Sequence, residues 1–110
     1  MCAAWPAAVA NPQHRLDVHG APPVLVLNSL HDPATAHSWA RNVARQIPCG
    51  VLLTYNGWGH GVTDRSECTL AAVSRYLTDL RPPRPGTHCP AVPPTGREAT
   101  AASPATETVW

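Results

Sequence analysis

Two short, unbroken apolar runs limit what this chain can fold into more than any other feature. Val24-Leu25-Val26-Leu27 follows a Pro-Pro stop, and Val51-Leu52-Leu53-Thr54-Tyr55 follows Pro48-Cys49-Gly50. Runs this short, bounded by turn signals, suit strands buried on both faces. Between them Ala36, Trp39, Ala40, Val43, Ala44 and Ile47 recur at spacings of three and four. That stripe predicts an amphipathic helix over residues 35–47, with Thr35 as its N-cap and Trp39 in the core. A second helix is predicted over residues 66–80, with Thr69, Ala72, Val73, Tyr76, Leu77 and Leu80 on one face. The order strand, helix, strand, helix defines an α/β chain whose two strands run parallel, joined by a right-handed crossover. Two parallel strands make no stable sheet, because both edges stay open and both faces need cover. The pattern therefore predicts a β-α-β-α portion of a larger fold, an incomplete sheet whose remaining strands come from elsewhere.

The flanks add little to that core. Residues 1–22 show no periodicity and read as a connecting segment, and residues 23–90 hold the patterned domain. Residues 91–110 are rich in Pro, Thr and Ala, and too poor in large apolar side chains to offset their ordering entropy. They are expected to form a disordered tail. The net charge is +1, and the eight basic residues, all Arg, are dispersed. This leaves no electrostatic footprint for nucleic acid or an anionic membrane surface. No stretch approaches the roughly 20 apolar residues of a membrane span. The N-terminus lacks a basic n-region and is interrupted by Pro6, so it makes a poor signal peptide, and a chain translated as given is expected in the cytoplasm. Four cysteines lean the other way, towards an oxidising compartment. An upstream start to the protein would reconcile the two.

Chemistry is expected outside the carboxyl ends of the strands, where open parallel sheets bind ligands. Two loops leave those ends, Asn28-Ser29-Leu30-His31-Asp32-Pro33 and Asn56-Gly57-Trp58-Gly59-His60-Gly61. Asp32 and His60 thus occupy equivalent places on adjacent loops. An Asp that accepts from an imidazole fixes its tautomer and stabilises the imidazolium formed during acyl transfer. Taken singly, Asp-Pro before a helix is a cap and turn, and a His among glycines is a loop residue. Only their joint placement, Asp before His with one helix between, points to catalysis. It matches the order Ser…Asp…His of α/β-hydrolases without the Ser. None of Ser29, Ser38, Ser66, Ser74 and Ser103 has the flanking glycines of a G-x-S-x-G elbow. Cys49 and Cys68 sit at helix ends and are poor nucleophile candidates. A metal site from His31, Asp32, His37 and His60 has suitable donors but no supporting spacing. Trp58, beside His60, is a candidate to line a substrate pocket, with packing the alternative. The four cysteines Cys2, Cys49, Cys68 and Cys89 form no C-x-x-C and allow three full pairings.

Several stretches together resemble the C-terminal domain of tripeptidyl-aminopeptidase-like (TAP-like) proteins. They are Pro23 to Thr35 with its His-Asp-Pro-Ala-Thr end, Trp39-Ala40-Arg41, Val51 to Thr54 with Gly59-His60-Gly61, Ser66-Glu67-Cys68, and Gly86-Thr87-His88-Cys89-Pro90. These proteins are α/β-hydrolases related to prolyl aminopeptidases, typically secreted by actinobacteria. The resemblance implies that Asp32 is the triad acid and His60 the triad base, with no cofactor. It also implies that Cys68 pairs with Cys89, and that Cys2 pairs with a cysteine in a preceding part. Cys49 departs from the family pattern, which implies a free thiol. The implied protein cleaves peptides by acyl-enzyme chemistry, with an N-terminal Ser-bearing part as this chain's partner. The chain alone is then inactive. The rival readings are a non-catalytic truncated remnant that at most binds a partner, and an esterase.

Overall fold

The computed structural model describes residue 4 and residues 6–93. Cys2 and the greater part of the expected tail lie outside the described residues. The elements are β1 (Val24–His31), α1 (His37–Gln46), β2 (Gly50–Trp58), α2 (Glu67–Asp79) and β3 (His88–Cys89). They form an open parallel sheet in the order β1-β2-β3, with a helix on each face. Among the described residues no helix is long and apolar enough to cross a membrane.

Both main strands run further than their apolar cores. β1 continues through Asn28, Ser29, Leu30 and His31, which the sequence assigns to a loop, and β2 continues to Trp58. Polar residues extend the strands because the β1–β2 ladder carries on past them, in regular register from Val24↔Gly50 to Ser29↔Tyr55. The next pair is His31↔Trp58, so Asn56 and Gly57 together oppose Leu30 in a bulge. Gly57 suits the space there, because a Cβ would run into the Tyr55 ring.

A third strand, β3, pairs Thr54 with His88 and Tyr55 with Cys89. Two residues carry no readable period, and the segment before them is broken by Pro and Gly. Thr54 N–H donates to Thr87 O at the start of β3, and the Cys68–Cys89 disulfide, whose Cα atoms are 5.7 Å apart, tethers the strand to α2. This is the pairing the family resemblance implied. Cys49 is exposed and free.

Leu53, Tyr55, Val62 and Cys89 are buried together, with Leu25, Leu27 and Ala72 packed against them. The odd-numbered side chains of β1 and β2 thus face α2. The opposite face meets α1, where the His37 ring bonds the Thr54 hydroxyl at 2.9 Å.

Helix α2 starts on a capping box, Ser66 Oγ accepting from Thr69 N–H and Thr69 Oγ1 accepting from Ser66 N–H. It buries Thr69 and Val73 and sends the Tyr76 hydroxyl to Pro23 O at 2.7 Å. The expected apolar face is wider than the buried one, for Leu77 is 74% exposed.

Helix α1 corrects two expectations. Its N-cap is Ala36 without a side-chain bond, because the Thr35 hydroxyl and N–H are committed to Asp32. Trp39 is 62% exposed rather than in the core, because the helix turns the small Ala40 and Ala44 towards the sheet. One residue of helix is about 100° of rotation, which swings the Trp39 indole outward beside Val43.

Candidate acid–base site

Asp32 is the first residue after β1, and its own turn ties it down. Oδ1 accepts from the N–H groups of Ala34 (2.7 Å) and Thr35 (2.9 Å), and Oδ2 accepts from the Thr35 hydroxyl (2.9 Å). An Asp that bonds the backbone two and three residues on is an ordinary turn former. Here it has a further partner. His60, two residues beyond β2, brings Nδ1 to 3.0 Å from Oδ2 and 3.2 Å from Oδ1. The Asp32 side chain is 3% exposed and the His60 side chain 61%. The Thr35 N–H above all holds the carboxyl well below the usual carboxylate range. Burial pulls it upward, and the bonds from Ala34, His60 and the Thr35 hydroxyl add to the lowering.

An ionised carboxylate only accepts hydrogen bonds, so the proton between the two groups belongs to His60 Nδ1. The neutral ring then carries its free lone pair on Nε2, which has no hydrogen-bond partner among the described residues. Such a ring can take a proton from a hydroxyl and return it to a leaving group, while the anion behind it stabilises the imidazolium. Asp32 and His60 are therefore brought together as a hydrogen-bonded pair.

The other candidates fall elsewhere. Trp58, 53% exposed, ends β2 opposite His31 and is a strand residue rather than a loop residue. His37 is turned to Thr54, away from the pair. Its pKa is lowered, first by burial and then by Arg41 and His88. Among the described residues no three His, Cys, Asp or Glu side chains gather as a metal site. Ser29 is fully buried, and its hydroxyl donates to Gly59 O at 2.6 Å.

Arg65 is a further residue of the site, one that sequence patterns do not mark. Its Nη2 donates to His60 O at 2.9 Å and its Nε to Gly61 O at 2.8 Å. It belongs to no motif because it bonds main-chain oxygens, which leave no mark on the sequence. The one available signal was an Arg placed between a glycine-rich loop and a helix cap.

A parallel sheet with helices on both faces, and an Asp–His pair at the carboxyl ends of adjacent strands, is the architecture of part of an α/β-hydrolase. The family model described as TAP-like protein matches residues 1–89, and the chain belongs to that family. Carboxylesterase B of Mycobacterium tuberculosis is 33% identical over 90 residues, which are 81% of this chain and 17% of that protein. Serine protease Hip1 of the same species is 33% identical over 89 residues, 80% of this chain and 17% of that protein. The chain thus spans under a fifth of the length of the curated relatives it matches.

Proposed function

We propose that this chain supplies the acid and base of a serine hydrolase, Asp32 as the orienting acid and His60 as the general base. The observation that carries the reading is the 3.0 Å bond from His60 Nδ1 to Asp32 Oδ2, on a ring whose side chain is 61% exposed. The nucleophile is a Ser in a preceding part of the hydrolase, since this sequence has no G-x-S-x-G. His60 Nε2 takes the proton of that Ser as it attacks the substrate carbonyl, and returns it to the leaving group. Asp32 holds the ring in the Nδ1–H tautomer and stays ionised throughout.

The substrate proposed first is a peptide cleaved near its N-terminus, through the family's resemblance to aminopeptidases. The esterase reading is favoured by the relative named Carboxylesterase B. An acyl-enzyme route serves both, because the pair acts on the nucleophile and the leaving group rather than on the bond type. The intact enzyme is proposed to work outside the cytoplasm, a reading the Cys68–Cys89 bridge supports.

The test is a chimera in which residues 1–89 replace the matching region of Carboxylesterase B, assayed on p-nitrophenyl butyrate and on tripeptide p-nitroanilides. His60→Ala is expected to lower kcat by at least about 10³-fold, and Asp32→Asn by about 10³ to 10⁴-fold. A folded, active chimera whose kcat is unchanged by His60→Ala refutes the assignment.

A further inference from the structure

Three successive carbonyls, those of Gly59, His60 and Gly61, are each held by a side chain. Gly59 O accepts from Ser29 Oγ, His60 O from Arg65 Nη2 and Gly61 O from Arg65 Nε. The two donors approach from different elements, since Ser29 lies on β1 and Arg65 stands just ahead of the α2 cap. Gly59 N–H in turn donates to His31 O at 3.2 Å, so the loop is also stitched to the end of β1. Gly59 has φ +105°, and a Cβ on it would lie 2.8 Å from the guanidinium. The Arg65 plane therefore packs directly against the glycine backbone.

A loop running free between glycines would let the His60 ring swing, and a base must hold its geometry to within a fraction of an ångström. We propose that Arg65, opposed by Ser29, is the positioning residue that aims His60 at Asp32. This rests on the reading of His60 and Asp32 as the acid–base pair. The guanidinium suits the task because its planar fork presents Nε and Nη2 side by side to two neighbouring carbonyls in a single rotamer. An ammonium has donors enough but no fixed fork, so it holds the two carbonyls less rigidly. Arg65 also stands three residues before Cys68, so the Cys68–Cys89 bridge steadies the base of the clamp. Because Arg65 is exposed and its partners are main-chain oxygens at the surface, its loss should cost orientation far more than stability.

The experiment uses the full 110-residue chain, labelled with ¹⁵N, and reads the His60 ring nitrogens by long-range ¹H–¹⁵N correlation above the pH of imidazole titration. The parent chain is expected to show one tautomer, protonated on Nδ1. Arg65→Met should lose that single signature, its two ring signals moving to averaged positions, while the melting curve stays close to the parent's. Arg65→Lys should fall between the two. An Arg65→Met chain that keeps the parent's ring signals overturns the positioning role and leaves the Asp32–His60 pair standing. Should Arg65→Met fail to fold, Arg65→Gln, which keeps the aliphatic stem but loses the cationic fork, decides, and parent-like ring signals in it overturn the role equally. Mixed tautomers in the parent itself overturn the pair, and the positioning role with it.

Discussion

The Cys68–Cys89 bridge should account for much of the stability of this chain, and the amount follows from its span. The cysteines are 21 residues apart. Closing a loop of that size removes about 11 cal/mol/K from the unfolded chain, or about 3 kcal/mol at room temperature. The perturbation is reduction, in a Cys2→Ser, Cys49→Ser background that prevents thiol exchange. A chain of this length has a urea m-value of about 1 to 1.5 kcal/mol/M. The urea midpoint should therefore fall by about 2 to 3 M when a phosphine reductant is added, read by far-ultraviolet circular dichroism. Because β3 consists of only His88 and Cys89, reduction should also free its ladder. Amide exchange at Thr54, which donates to Thr87 O, should rise more than at Leu53 in the middle of β2. A midpoint shift below about 0.5 M would refute the reasoning. It would mean that the 68–89 segment is already constrained in the unfolded chain, or that β3 holds its place without the bridge.

Other predictions follow from single groups. Asp32 has a lowered carboxyl pKa, so its contribution to stability is present above the unfolded value of about 4 and is lost as pH falls further. Asp32→Asn should flatten the acid limb of a stability–pH curve, and an unchanged limb would contradict the turn bonds described. His37 is held towards its neutral form by burial, with Arg41 and His88 adding to it. Stability should therefore drop as pH falls below about 6.5, because the unfolded chain takes up the proton first. His37→Gln, which can still bond Thr54, should remove that step from a urea titration run at pH 5 and pH 8. Leu80 closes α2 in the left-handed region at φ 54°, and its side chain is exposed. Leu80→Gly should raise the melting free energy by up to about 1 kcal/mol, and a loss would count against the cap geometry.

What could be read from the residues, and what could not, divides along physical lines. Val24 to Leu27 and Val51 to Tyr55 announced their strands because burial on both faces demands unbroken apolar side chains. Asn28 to His31 did not, since polar residues at a strand's carboxyl end look the same whether or not a neighbour extends the ladder. Trp39 misled because a stripe two residues wide does not say which edge meets the sheet, and the small Ala40 and Ala44 took that place. Asp32 and His60 could be placed near each other from topology alone, because the carboxyl ends of neighbouring parallel strands lie side by side. Their bond could not, for it depends on the path of two irregular segments, the Asp32 turn and the His60 loop beyond the Asn56–Gly57 bulge, that no periodicity encodes. Ser29 is the clearest case: its hydroxyl serves a main-chain oxygen in the loop after β2, and no pattern in the sequence marks such a partner.

The bridge between α2 and β3 also makes residues 68–89 a covalent ring, with consequences for how the chain comes apart. The sequence contains no Lys, and trypsin is left with Arg alone as its target. Within the ring, Arg81 and Arg84 are each followed by Pro and resist cleavage, which leaves the Arg75–Tyr76 bond in α2. A protease that cuts there breaks the helix but releases nothing. The pieces spanning 66–75 and 76–97 stay joined through sulfur and travel as one mass until a reductant parts them.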